Sequence, residues 1–197
     1  MRALVLCLSL LGSAAWAQPA CEVAAVQGEA LQADGRPLAA GDRLDVGATL
    51  RTGAAGRVRL RCSDGSVVVL ADRSQLRIVA YAAPARPSRA AELLLELGLV
   101  GQRVTPQAGG SWRVRTPTAV TAVRGTEFSV EVADDRATAV HLRAGEVEVA
   151  PLDAPQATVR LTPALNGTRC DASRCDAATA WRAERVARVA QRLGALD

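Results

Sequence analysis

The chain has 197 residues, with 24 arginines, no lysine, 20 acids and a formal net charge of +4. Glycine (16) and proline (9) stand at ordinary levels, which excludes collagen-like, low-complexity and strongly disordered classes. Aromatic content of 3% excludes the stacking platforms of RNA-binding folds and large sugar-binding surfaces, and so weak a positive charge without a dense basic run is no nucleic-acid footprint.

The first residues read as an address. Met1-Arg2 is a short positive start, Ala3–Leu11 is apolar but too short for a bilayer of about 30 Å, and Ala15-Trp16-Ala17 is a small-residue cleavage site. The expectation is a signal peptide over 1–17, cut after Ala17, and a periplasmic or secreted product without later membrane insertion. Pro19-Ala20-Cys21 does not form a lipobox. Cys7 leaves with the leader, so Cys21, Cys62, Cys170 and Cys175 remain. An even count in an exported chain predicts two disulfides with three connectivities open. Cys170–Cys175 would close a small local loop and leave Cys21 for Cys62. A zinc site is disfavoured, because the C-x4-C spacing lacks a second close pair and His141 is the single histidine.

From Glu22 onward the period is two. Glu22–Leu31 reads as an interrupted strand, followed by turns at Asp34-Gly35 and Gly41-Asp42. In Arg57–Cys62 the apolar Val58, Leu60 and Cys62 alternate with Arg57, Arg59 and Arg61, a half-buried strand with a solvated arginine face. Ser63-Asp64-Gly65-Ser66 is a hairpin turn into Val67–Leu70, and Gln75–Val79 is a further strand. Ala82–Ala90 is a loop or linker. Ala91–Val100 has the length and leucine content of a short helix, while its neighbours favour a buried strand from near Leu93. Trp112 and Val114, then Phe128, Val130 and Val132, then Thr138, Val140 and Leu142, then Val147 and Val149 form successive inward sets, with turns at Asp134-Asp135 and Ala144-Gly145. Thr158–Leu161 closes the sheet. The fold class is all-β, a sandwich or roll of short, mostly antiparallel strands. Asp176 is the expected N-cap of a C-terminal amphipathic helix, Ala177–Leu193, with Val186, Val189, Ala190 and Leu193 on one face and Arg185, Arg188 and Arg192 opposite. Docking of this helix on the sheet or a partner is favoured over lying on lipid, because its apolar face is small. The organisation is a leader (1–17), a β domain (18–165) and a disulfide loop with helix (166–197).

Two stretches carry a resemblance. One runs from Leu44-x-Val46-Gly47-Ala48-x-Leu50-Arg51-Thr52-Gly53 through Asp64-Gly65-Ser66 and Leu70-x-x-x-Ser74-x-Leu76. The other is Val114-Arg115-Thr116-Pro117 followed by Val123-Arg124-Gly125-Thr126-Glu127-Phe128-x-Val130. Together they resemble the FecR domain, the periplasmic part of ferric-citrate-type sensor regulators, over about residues 23–150. In signalling members a segment that controls a sigma factor and one transmembrane helix precede this domain. Here a signal peptide stands there, so the anti-sigma role is not carried over. Read as residues, the motif turns the chain between strands: Gly125 permits positive φ or close backbone approach, Pro117 holds Thr116 extended, and Arg124 pairs with Glu127 across a bend.

No catalytic, metal or cofactor residues are assigned. His141 alternates with Val140 and Leu142 and is expected to face solvent, and the Asp64 and Asp134-Asp135 carboxylates occupy turn positions. The favoured function is a non-catalytic binding, sensing or scaffold module whose partner is an envelope or outer-membrane protein. The alternatives are an envelope glycan or polymer binder, a regulator linked to TonB-type iron-uptake signalling, and a hydrolase with an unrecognised site.

Overall fold

The structure is a computed structural model that describes residues 19–82, 90–106 and 110–196. The expected leader and nearly all of the Ala82–Ala90 linker lie outside the described residues. Fifteen strands and one helix follow in order: β1 Cys21–Gln27, β2 Ala30–Gln32, β3 Arg43–Leu44, β4 Thr49–Thr52, β5 Arg57–Cys62, β6 Val67–Leu70, β7 Gln75–Tyr81, β8 Ala90–Arg103, β9 Ser111–Arg115, β10 Ala119–Val123, β11 Glu127–Val132, β12 Thr138–Ala144, β13 Val147–Pro151, β14 Val159–Leu161, β15 Gly167–Cys170 and α1 Ala183–Leu193.

The longest strand organises the rest. The first half of β8 pairs with β7 and β9, and its second half pairs with β6 and β11. One sheet therefore runs β3-β1-β5-β6-β8-β11-β12-β15 and the other β2-β4-β7-β8-β9-β10-β13-β14. All pairings are antiparallel except β8 with β9. Parallel neighbours need a crossover of a dozen or so residues, and the second half of β8 forms much of it.

At the junction, Gln75 faces Leu97 and Leu76 faces Leu95, so Glu96 is an inserted bulge residue, and Gly98 follows at φ +88°. One extra residue reverses the side-chain phase. Leu93 and Leu95 point into the core between the sheets. Beyond the bulge Val100 does so, while Leu99 points to the outer face of the first sheet.

The inner core joins both sheets through residues such as Leu60, Leu70 and Phe128 from one and Leu50, Ile78 and Val149 from the other. A second, smaller core lies on the outer face of the first sheet, where Val67, Val69 and Leu99 meet Val189, Leu193 and Leu196. The continuous apolar run Val67–Leu70 follows from this, since β6 is buried on both faces.

The helix docks on this outer face. Gly101 leaves room for the Leu193 side chain, whose Cδ1 would stand 2.6 Å from a Cβ there. Arg192 forks to Asp72 (2.9 Å) and Glu131 (2.5 Å). Arg57 donates to the Gln191 carbonyl at 3.2 Å, and Arg59 donates to that of Ala195. Two of the three arginines expected on a solvated face of β5 therefore hold the carbonyls at the end of the helix, where cations are favoured.

Three further expectations are corrected. The helix begins at Ala183 rather than near Ala177, and Arg182 at its N-cap position makes no side-chain cap. Residues 176–180 are extended because they bond to β15: the Asp176 amide donates to the Arg169 carbonyl, and Thr179 and Gly167 exchange two bonds. Ala190 is exposed, so the buried stripe reduces to Val189 and Leu193 with Val186 beside it. His141 lies on the outer face of β12 but is only 7% exposed, because Trp181 folds back over it.

Candidate functional site

The motif residues hold strand ends together. Thr52 Oγ1 donates to the Ala71 carbonyl at 2.5 Å and accepts from the Ser74 amide at 3.0 Å, and the Gly53 amide donates to the Glu29 carbonyl. In the β5–β6 turn, the Asp64 carboxylate accepts from the Ser66 amide and hydroxyl at 2.9 Å each, with Gly65 at φ +85°. Ser66 Oγ in turn accepts from the Thr105 amide at 3.1 Å. Thr116 and Pro117 stand at the β9–β10 turn, where Thr116 Oγ1 meets Thr138 Oγ1 of the other sheet at 2.6 Å. Arg115 pairs with Glu92 at 3.6 Å. Gly125 has φ +70°, and a Cβ there would stand 2.9 Å from Pro106 Cα. Val123, Thr126 and Phe128 are buried. Glu127 pairs with Arg143 of β12 at 2.6 Å, not with Arg124, because strand pairing brings the side chain of Arg143 next to it.

Asp64, Trp112, Arg124 and Gly125 line a cleft at this end with room for about 30 Å³, about one water. Tyr81 closes it. Its hydroxyl accepts from the Asp64 amide at 3.0 Å, and burial raises its pKa well above the ordinary phenol value.

The cysteines join as Cys21–Cys62, opposite each other on β1 and β5, and Cys170–Cys175, around a loop whose Asp171 accepts from Ser173 and Arg174 amides.

A groove of about 560 Å³ opens at the other side, between residues 176–180 and the start of α1. It is organised by Trp181. The indole stacks on His141 with ring centres 4.9 Å apart, and Gly167 opposite His141 admits it, since a Cβ there would overlap the indole nitrogen. Arg185 lies on the other side of Trp181, its guanidinium 3.5 Å from the ring centre. Arg169, Arg182 and Arg188 share the groove with Asp176 and Glu184. Arg169 is paired with Asp135, whereas Arg182, Arg185 and Arg188 have no ion pair with an acid among the described residues. Burial lowers the Arg185 pKa; Glu131 offsets part of this, and Arg169 and Arg188 add to it.

Sequence reading placed Arg185, Arg188 and Arg192 on the polar face of a helix but singled out neither Trp181 nor Arg169. The available signal was Trp181, directly before Arg182-Ala-Glu-Arg185.

Burial, with a smaller contribution from Arg185, lowers the His141 pKa below its ordinary value. The unfolded chain therefore takes up the proton at higher pH than the folded chain. The stability contribution is complete above about pH 6.5 and declines as pH falls through the window below it. In His141→Phe that decline flattens, as read from Tm between about pH 5 and 8. An unchanged slope in the variant would assign the decline to other groups.

Among the described residues no helix is long and apolar enough to cross a membrane, and the two disulfides are consistent with an oxidising, extracytoplasmic compartment. No curated protein matches the chain. Two crystal structures, at 1.65 and 2.50 Å, of a candidate anti-sigma factor from Parabacteroides distasonis ATCC 8503 match it at 25% identity, with TM-scores of 0.52 and 0.54. Each match covers 67% of this chain and 60% of the solved one. The family model described as FecR protein matches residues 48–148, which hold most of the strands, while the C-terminal groove lies beyond it. The chain belongs to the FecR protein family.

Proposed function

We propose that this protein is an exported binding module of the bacterial cell envelope, cleaved after Ala17, that holds a protein partner without transforming it. The observation that carries the reading is the Arg- and Trp-lined groove on a disulfide-closed β body, formed almost wholly by residues after the family match ends at 148. Its arginines are presented on rigid elements, with Arg185 stacked and Arg169 fixed by Asp135. Arg and Trp are the residues that most often dominate protein interfaces. The likeness to a candidate anti-sigma factor supports a signalling form of the same reading, in which the partner's binding is passed on to a regulator.

Crosslinking in the periplasm followed by mass spectrometry is expected to recover a defined envelope or outer-membrane protein. Retention on purified sacculi or polysaccharide, with no protein crosslinked, overturns the reading in favour of a polymer ligand. N-terminal sequencing of the exported product is expected to begin at Gln18.

A further inference from the structure

The segment 175–180 adds an extended edge beyond β15. Cys175 bridges to Cys170, and Thr179 exchanges two backbone hydrogen bonds with Gly167 at 2.9 Å each. In an antiparallel pair, the neighbours of such a residue turn their N–H and C=O groups to the opposite side. Ala178 and Ala180 flank Thr179, so their backbone groups face away from β15, and neither has a hydrogen-bond partner among the described residues. Ala177, Thr179 and Ala180 are exposed and line the groove. No proline or large side chain interrupts Ala177-Ala178-Thr179-Ala180, and although the register shifts by one residue between the Cys170–Cys175 and Gly167–Thr179 bridges, Ala178 and Ala180 keep their backbone groups open to an added strand.

Beside it stand Arg182, Arg185 and Arg188, spaced three residues apart at the start of α1 and lining the same groove. The acids facing them are Asp176 and Glu184, with Glu131 acting on Arg185 while paired to Arg192, which leaves the groove positive even with Arg169 paired to Asp135. A second copy of the chain, pairing edge to edge, would bring two sets of these arginines together, which charge repulsion opposes. An acidic strand is complementary on both counts. Its backbone satisfies the free edge, and alternate side chains project to one side, so acids at every second position reach the arginines.

The geometry points to an extended acidic segment of a protein partner, added as a further strand along Ala178–Ala180 with its carboxylates on Arg182, Arg185 and Arg188. This rests on the binding-module reading and specifies the partner's chemistry.

The test uses the whole exported protein and a fluorescein-labelled peptide of alternating Glu and Val, about ten residues long, followed by fluorescence anisotropy. Saturable binding is expected. It should weaken about tenfold or more when the peptide's Glu are replaced by Gln, and similarly when its alternate amides are N-methylated. Arg185→Gln with Arg188→Gln, and separately Ala178→Pro, are expected to weaken it too. The two peptide controls need no protein variant, so misfolding cannot mimic their result. Equal binding of the N-methylated peptide overturns strand addition, because charge alone would then hold the ligand. Equal binding of the Gln peptide removes the arginines from the account. Dimerisation at the same concentrations that is abolished by Ala178→Pro assigns the edge to a second copy and also overturns the proposal. A defined partner crosslinked elsewhere on the surface, together with no peptide binding, ends this inference while the binding-module reading stands.

Discussion

Replacing Cys21 and Cys62 with alanine lowers the unfolding free energy by about 4 kcal/mol, while replacing Cys170 and Cys175 lowers it by about 2 kcal/mol. The ordering follows from the loops that the bonds close in the unfolded chain. Cys21 and Cys62 are 41 residues apart, and Cys170 and Cys175 only 5. Chain entropy grows with the logarithm of that separation, so the long loop restricts the unfolded ensemble more. The folded state adds to the same ordering. Cys21 and Cys62 are both buried in the inner core, whereas Cys175 is only half-buried. Cys21–Cys62 also fixes the start of β1 to the end of β5, and β1 has only the two-residue β3 on its other side. The measurement is chemical unfolding without reductant, with the two double variants compared against the parent. Equal losses would mean that the unfolded chain keeps residual structure around residues 21–62 even without the bond.

Much of the β body was legible because burial on one face writes itself as alternation. In β5, Val58, Leu60 and Cys62 are buried, and in β11 to β13 the expected inward sets Phe128, Val130, Val140, Leu142, Val147 and Val149 are buried as well. Legibility failed where a second layer covers the outer face. Val67–Leu70 shows no alternation because α1 buries what would otherwise be its wet side. Ala91–Val100 looked ambiguous between helix and strand because the bulge at Glu96 breaks the period midway, so that the two halves of β8 carry opposite phases.

The candidate groove was the least legible part. His141 follows the alternation of β12 and does point outward. What covers it is Trp181, 40 positions later, and no local pattern encodes that long-range contact. The expected N-cap at Asp176 failed for a similar reason. Asp176 has the right residue type before a helix-forming run, but its backbone is drawn to Arg169 and Thr168, and these tertiary bonds outweigh a cap worth about 1 kcal/mol.

Gly98→Ala is expected to destabilise the whole fold by about 3 kcal/mol or more, whereas Gly167→Ala is expected to release α1 and leave the β body folded. Both positions reject a Cβ, but different atoms do the rejecting. At Gly98 the new Cβ would stand 2.6 Å from Ser74 Cα and 2.1 Å from its Oγ, with φ at +88°. The Cα belongs to the backbone of the β6–β7 connection, where Ser74 Oγ also accepts from the Leu99 amide at 2.9 Å. Shortening Ser74 to glycine removes the hydroxyl but not the Cα, so it should not rescue Gly98→Ala. The strain falls at the bend that joins the two sheets, and nothing nearby can yield without breaking their shared strand. At Gly167 the three nearest atoms all belong to the Trp181 indole. A side chain can move, so Gly167→Ala should push Trp181 off His141, expose the outer face of β12 and separate Arg185 from its ring. Hydrogen exchange should then show loss of protection confined to Ala183–Leu193, with the strands of the inner core unchanged. Trp181→Ala removes the same contact by another route. The two substitutions together should therefore cost little more than either alone, a coupling that a double-mutant cycle reads directly. Additive losses would show that Gly167 is needed for the β12–β15 pairing itself and that Trp181 holds the helix independently.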